Sequence, residues 1–328
     1  MSEWRKDFLT GRWTIIAPER VNRPYEFEEE APECPFCEGM ESCTPKEVFS
    51  IRRNGTSPDQ PGWFVRVFPN KYPALRNDIP FWDMCDELYR AAGGFGVHEV
   101  IVETPHHALD FSELSQEQIV RVLLAYKERL RFFEREKYLR YGLIFKNQGI
   151  EAGASMRHAH SQFIATPFVP HTVLEELEGA VNFYREKKQC PFCMLLVRER
   201  EKAVRLILEN DHFVAFVPYA ARFPFEVALF PVHHSAFFQE ETHLEDLAVV
   251  LSRVLKGVRK CSGMSSFNFV LHVAPYHAKD EEERGYHWHF EILPAFLRTA
   301  GFEWGSGFSI NVIRPEEAAQ KLRLCLYS

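Results

Sequence analysis

The chain has 328 residues, 46% hydrophobic and 14% aromatic, enough for one large core or for two halves that share one. A formal net charge of −7 excludes a global field that would draw in nucleic acid or an anionic membrane, so any phosphate-bearing ligand needs a local arrangement of donors. No apolar run is long enough to span a bilayer, and the N-terminus mixes charges with aromatics and lacks a signal-peptide core; the expectation is a cytosolic protein. In that compartment the eight cysteines are not expected to form a disulfide framework.

In chain order, the opening "RWTIIAPERVNRP" (12–24) precedes a CPFC tetrapeptide at 34–37. "FPNKYPAL" (68–75), the alternating strand "VHEVIVETP" (97–105) and "HHALDF" follow. Ser115 with Gln118 three residues on predicts a capping box for the helix "IVRVLLAYKERLRFFEREKYL". The strand "YGLIFKNQG" (141–149) leads to the strand containing "HAHSQFIATP". A linking helix is predicted over 172–189 from its helical apolar spacing. Then the order repeats: CPFC at 190–193, "FVPYAARFPFE", the strand "VALFPV", "HHSAFF" (233–238), and a helix with a predicted Thr242–Glu245 capping box. The strand "FNFVLHVAP" (267–275) and "HWHFEILP" (287–294) complete it. The acidic run 279–285 reads as a solvated loop or hairpin end, and "RPEEAAQKLRLCLYS" as a last helix with Pro315 in its first turn. Two long copies define a duplication rather than a repeat array, with halves at 1–170 and 171–328.

A CxxC turn presents two thiolates to one tetrahedral ion and needs two more ligands. In the first half His106 or His107 plus one of His158 and His160 could supply them; in the second, His233 or His234 plus one of His287 and His289. Cys43, Cys85, Cys261 and Cys325 read as core or surface thiols. His171, His212, His243, His272 and His277 have no partner spacing, and His98 reads as a packed or hydrogen-bonded strand histidine.

If each metal takes one histidine of an HxH pair, the other is left for chemistry. The halves differ in what precedes the pair. "NQGIEAGAS" (147–155) has glycines that let backbone N–H groups approach an anion, plus the Ser155 hydroxyl, whereas "HAKDEEERGY" would repel phosphate. A phosphate site therefore belongs to the first half. A neutral imidazole held in one tautomer is a good nucleophile toward phosphorus, and Gln162, two residues beyond His160, shares its face of a strand.

"GASMRHAHSQ", the two CPFC motifs, "RWTIIAPERVNRP" and "HWHFEILP" together resemble the galactose-1-phosphate uridylyltransferase family, a branch of the histidine-triad superfamily, over nearly the whole chain. The resemblance implies an α+β fold: two duplicated histidine-triad halves forming a mixed, largely antiparallel sheet with packed helices. It implies one zinc on Cys34, Cys37, His107 and His158, and a second, structural zinc on Cys190, Cys193, His234 and His287. It makes His160 the nucleophile that carries the nucleotidyl group, with Gln162 and Ser155 in support. Nucleotide-sugar contacts map to Arg20, Arg23, Asn70, Asn147, Gly153, Ser155, Gln162 and Phe302, the last in a C-terminal segment that could reach a neighbouring subunit of a homodimer. The implied reaction is ping-pong exchange between UDP-glucose and galactose 1-phosphate through a uridylyl-histidine, in galactose metabolism. Relatives with the HxHSQ form and "GAS" ahead of it include ADP-glucose phosphorylases, which move an adenylyl group to phosphate. Two other readings fit these residues less well. A histidine-triad hydrolase has a third histidine where Gln162 stands, and a zinc-ribbon binding module would need clustered basic residues, whereas 126–140 interleaves its charges with glutamates on a helical stripe.

Overall fold

The computed structural model describes residues 2–22, 34–107, 110–263, 265–295 and 299–327. The strands are β1 (Glu3–Lys6), β2 (Trp13–Ile16), β3 (Phe49–Arg52), β4 (Trp63–Pro69), β5 (Asp83–Cys85), β6 (Arg90–Gly93), β7 (Val97–Val102), β8 (Tyr141–Gln148), β9 (His160–Thr166), β10 (Leu206–Glu209), β11 (Phe213–Phe216), β12 (Val227–Pro231), β13 (Phe267–His272) and β14 (His289–Pro294). The α-helices are α1 (Gln116–Glu134), α2 (His171–Lys187), α3 (Pro191–Lys202), α4 (Leu244–Ser262), α5 (Asp280–Gly285), α6 (Gly301–Ser306) and α7 (Pro315–Tyr327).

Ten strands form one sheet in the order β10-β11-β12-β14-β13-β8-β9-β7-β4-β3. The order reads as a palindrome about its middle, so the duplication seen in the motifs is also written in the topology. β8 and β13 meet antiparallel at the centre, with Gln148 opposite Phe267 and Ile144 opposite Leu271. A second sheet, β2-β1-β6-β5, is also antiparallel, and the parallel component is an isolated bridge between Arg76 and Phe95. Architecture and class are thus α+β, as the sequence predicted.

α1 and α4 cover one face of the long sheet. α1 buries Ile119, Val122, Leu123, Tyr126, Leu130 and Phe133, one helical stripe, and α4 buries Leu247, Leu251, Val254, Leu255 and Val258. Both stripes join a single core with β7, β9, β13 and β14. Burying side chains of this size contributes roughly 1.5–3 kcal/mol each, so the α1–α4 layer fixes how the two halves meet.

Local chemistry corrects several expectations. Ser115 does cap α1, its hydroxyl accepting the Gln118 N–H at 3.2 Å, but the Gln118 side chain donates to the Phe64 and Glu103 carbonyls instead of closing the box. The Thr242–Glu245 box does not form: α4 is capped at His243, and the buried Glu241 carboxylate accepts the N–H groups of Thr242 and His243, both at 2.8 Å. The acidic run is the short helix α5, its carboxylates concentrated at the end that favours negative charge. The second CPFC opens helix α3 with Pro191 in its first turn. Cys261 and Cys325, read as separate thiols, form a disulfide joining α4 to α7 across 64 residues. Among the described residues no helix is long and apolar enough to cross a membrane.

Candidate active site and metal clusters

β7 and β9 pair with Val102 opposite His160, Val100 opposite Gln162 and His98 opposite Ile164. Directly opposed residues share a face, so His98, Val100, His160 and Gln162 point to the side away from α1. β4 adds Phe68, opposite Val100, and β8 adds Phe145, opposite Gln162. On this face lies a cavity of about 260 Å³ with Phe36, Phe68 and Val100 as its apolar wall and Asn70, Ser155, His160 and Gln162 as its polar side. An aromatic and aliphatic wall facing a few polar groups suits a flat heterocycle with a charged tail.

Each histidine of the first pair has its tautomer set by a backbone carbonyl. His160 Nδ1 donates to the His158 carbonyl at 2.8 Å, so in the neutral ring the lone pair is on Nε2. His158 Nε2 donates to the Thr104 carbonyl at 2.8 Å, which puts its lone pair on Nδ1, 3.6 Å from the sulfurs of both Cys34 and Cys37. His107 Nδ1 lies 3.6 Å from Cys37 Sγ, and one donor atom from each of the four residues falls within 4.8 Å of the others. Burial lowers the His158 imidazole to about 4, which keeps it in the uncharged form that a metal needs. Two sulfurs and two imidazole lone pairs converging on one point fit a tetrahedral zinc, and the second-nitrogen bond of His158 to Thr104 is the orienting contact such ligands require. His106 does not belong to this group.

Behind His160, on the α1 face, Lys146 Nζ donates to Glu103 Oε2 at 2.6 Å and to the His160 carbonyl at 3.0 Å. Ser161 and Tyr126 hydroxyls complete the Glu103 shell. All four side chains are buried, so this network fixes the backbone that carries the imidazole.

Asn147 also has its amide orientation set by its surroundings. Asn268 Nδ2 donates to the Ala152 carbonyl at 2.9 Å, and the same nitrogen donates to Asn147 Oδ1 at 2.8 Å. A carbonyl can only accept, so Asn268 cannot be flipped and Asn147 must present its NH2 elsewhere, on the cavity face of β8. The turn from β8 to β9 uses Gly149 and Gly153, both at φ +81. At Gly149 a Cβ would also lie 2.1 Å from Ser266 Oγ; at Gly153 it would meet open space, so conformation alone calls for glycine there. Arg20 reaches the same neighbourhood, donating to the Tyr72 carbonyl at 2.7 Å. Arg23 lies outside the described residues. Phe302 sits on α6, 56% exposed, and does not line the cavity. A larger cavity of about 810 Å³ touches Asn70 and His98, but its buried charges, Glu99 and Arg129, are paired with each other at 2.8 Å.

The second half repeats the tautomers and closes the space. His287 Nε2 donates to the Pro231 carbonyl at 3.1 Å, and its Nδ1 lies 3.6 Å from Cys193 Sγ; Cys190 and His234 complete a second quartet within 4.8 Å. Interaction with Cys193, with help from His234 and His287, lowers the Cys190 thiol below its ordinary range. His289 Nδ1 donates to the His287 carbonyl at 3.1 Å, as in the first half. Its ring, however, is stacked between Phe230 at 4.6 Å and His272 at 4.8 Å, with Nε2 3.4 Å from Glu176 of α2. Glu176, His272 and His289 could themselves gather about an ion. Sequence reading gave His272 no role, because its partners come from a separate helix and strand at no fixed spacing. His98 is the buried, hydrogen-bonded strand histidine that the sequence predicts, and one of its partners, Gln162, lies in the site.

These features define a class: an α+β chain of two fused halves, each with a thiolate–imidazole cluster that could hold a metal, in which one half keeps an imidazole on an open cavity. The chain belongs to the galactose-1-phosphate uridylyltransferase family. Its residues 1–170 match the model of the family's N-terminal domain and residues 145–306 that of the C-terminal domain. It is 34% identical to ADP-glucose phosphorylase of Arabidopsis thaliana, covering 98% of this chain and 92% of that one. It is 30% identical to galactose-1-phosphate uridylyltransferase of Thermotoga maritima, covering 98% of each. A solved uridylyltransferase structure superposes with a TM-score of 0.84 at 31% identity, covering 99% of this chain and 98% of that one.

Proposed function

We propose that the protein moves a nucleoside monophosphate between a nucleotide sugar and a sugar 1-phosphate, with UDP-glucose as donor and galactose 1-phosphate as acceptor, through a nucleotidyl-His160. The observation that carries this reading is the His160 tautomer: a proton held on Nδ1 by the His158 carbonyl and a lone pair on Nε2, in a ring that lines the cavity. Nε2 attacks the α-phosphorus, the bond from phosphorus to the sugar phosphate oxygen breaks, and the sugar 1-phosphate departs. Charge that develops on the ring is shared with the His158 carbonyl through Nδ1–H. In the second step the acceptor's phosphate oxygen displaces His160.

Proton accounting favours transfer over hydrolysis. A phosphate monoester has its second pKa near about 6, so at neutral pH it leaves without a general acid and attacks without a general base. Water, with a pKa of about 15.7, needs a base. Gln162 stands beside His160, and an amide can donate a hydrogen bond but cannot take up a proton there. When bound, zinc on Cys34, Cys37, His107 and His158 would hold the His158 backbone that orients His160; zinc on Cys190, Cys193, His234 and His287 would tie α3 to the second half.

Rapid quenching should show a burst of one sugar 1-phosphate per active site from the right donor, then no further release until acceptor arrives. Steady release of free nucleoside monophosphate without acceptor refutes the reading. A second donor is favoured by one observation, the 34% identity to an ADP-glucose phosphorylase. The burst run separately with ADP-glucose, followed by phosphate, decides between them.

We further propose a homodimer. Trp304, Phe308, Ile310 and Val312 are 78%, 69%, 55% and 67% exposed along one C-terminal stretch, large apolar side chains that a second copy could cover. Sedimentation should give twice the chain mass, and Trp304→Glu with Phe308→Glu should give the monomer; a wild-type monomer overturns the proposal.

A further inference from the structure

We propose that His98 fixes the orientation of the Gln162 side-chain amide and so acts as a positioning residue for transfer at His160; the proposal rests on the nucleotidyl-transfer reading above.

The argument starts from a donor that cannot be reversed. The backbone N–H of Ala74 donates to His98 Nδ1 at 3.0 Å, and Arg20 Nη1, also only a donor, stands 3.4 Å from the same nitrogen. Nδ1 must therefore carry the lone pair, which leaves the ring proton on Nε2. Nε2 lies 2.8 Å from the Gln162 side chain, and an N–H there requires the amide oxygen, not the NH2, as its partner. Gln162 Oε1 is thus turned toward His98. Along β9, His98 sits level with Ile164 while His160 lies in the opposite direction, so the NH2 of Gln162 is left on the His160 side.

Asn70 tests this assignment. Its Nδ2 lies 3.1 Å from His98 Nε2, which looks like a competing hydrogen bond. The Tyr72 N–H donates to Asn70 Oδ1 at 2.8 Å, so the Asn70 amide is not flipped, and Nδ2 faces a nitrogen that already carries a proton. The two cannot both donate to each other. The shorter contact, to Gln162, takes the Nε2 proton, and Asn70 keeps its N–H bonds for the cavity. Two backbone N–H groups thus fix the His98 and Asn70 orientations, and Asn70 Nδ2 is left as a close neighbour of His98 Nε2 without a hydrogen bond between them.

The consequence is electrostatic. The terminal torsion of a glutamine is soft and nearly two-fold, so an untethered amide samples both orientations. One presents N–H dipoles to the phosphoryl oxygens as negative charge gathers on them; the other presents a carbonyl dipole that opposes the same charge. A donor preorganised before the chemical step costs no reorientation during it. The strand histidine thereby selects the useful orientation without touching the nucleotide.

Two measurements test this. Long-range proton–nitrogen correlation on the folded wild-type protein should show the His98 proton on Nε2; a proton on Nδ1 overturns the proposal regardless of activity. Single-turnover formation of the nucleotidyl-enzyme should slow by up to roughly 100-fold in His98→Leu, with kcat falling more than KM rises, the upper scale for a group that is misplaced but still present. Gln162→Ala, which removes the donor, should slow it by roughly 10²–10³-fold, and the double variant no further than Gln162→Ala alone, because His98 acts only through that amide. Multiplicative losses overturn the proposal. His98→Gln, which can keep an N–H toward Gln162, should recover part of the rate, and unchanged melting for it separates positioning from misfolding; a folded His98→Gln no faster than His98→Leu counts against the proposal. If wild type forms no adduct with UDP-glucose or ADP-glucose, the transfer reading fails while the tautomer measurement still decides the His98–Gln162 contact.

Discussion

His160→Gly should abolish nucleotidyl-enzyme formation and lower overall exchange by on the order of 10⁶, the scale on which removing a nucleophile collapses a covalent route. The same variant should keep its metal. The two histidines of the pair are divided by their hydrogen bonds: His158 is committed to the sulfurs through Nδ1 and to Thr104 through Nε2, and His160 Nδ1 donates to the His158 carbonyl. Removing the second ring leaves the first with both its partners. The loss in stability should be modest, roughly 1–3 kcal/mol, from a glycine in a strand and a vacated ring. Intact-mass analysis after quenching with the nucleotide sugar reads the adduct, and metal analysis with thermal melting reads the rest. Loss of zinc from His160→Gly, or an adduct that persists in it, removes His160 from the role of nucleophile. The twin substitution His289→Gly supplies the control. Its imidazole has the same tautomer but is enclosed by Phe230, His272 and Glu176, so its removal should cost stability and leave adduct formation in place.

That contrast explains which parts of the molecule could be read from the sequence. The duplication was legible because its marks are local: a CxxC turn, a capped helix and an HxH strand each announce themselves within a few residues. Spacing narrowed each quartet to a CxxC pair, one of two adjacent histidines and one of an HxH pair; the family resemblance, not the spacing, singled out His107, His158, His234 and His287. What stayed hidden depends on contacts between distant segments. The His98 tautomer is set by the Ala74 N–H, 24 residues away, and no periodicity encodes it. Asn268 of the second half orients Asn147 of the first only because β13 lies against β8. The Cys261–Cys325 bond needs α7 folded back on α4, a packing that neither helix states alone. The capping box at Thr242 failed for a related reason: Glu241 was already buried beside the helix start and took both backbone donors.

Cys190→Ser should unfold the protein at markedly lower temperature while leaving the intrinsic rate at His160 nearly unchanged in the fraction that remains folded. The second quartet joins the start of α3 to the loop after β12 and to His287, two residues before β14, segments far apart in sequence. Binding free energy of a structural zinc, about 10–16 kcal/mol in isolated peptides, acts directly as folding free energy when the site exists only in the folded chain. Serine keeps the shape but loses the thiolate, and Cys193, His234 and His287 then face one another with three ligands instead of four. His287 is buried, burial disfavours its charged form, and the variant removes the Cys190 sulfur that opposes that effect. The proposed nucleophile, His160, lies in the other half, on a strand whose position is held by Lys146, Glu103 and the first quartet. Stability and chemistry should therefore separate. Melting curves and zinc stoichiometry measure the first, and burst amplitude corrected for folded protein measures the second. An unchanged melting temperature with two zinc ions still bound would remove the second cluster from any structural role, whereas a slowed burst per folded site would show that the halves are coupled through β8 and β13 more tightly than their separate networks imply.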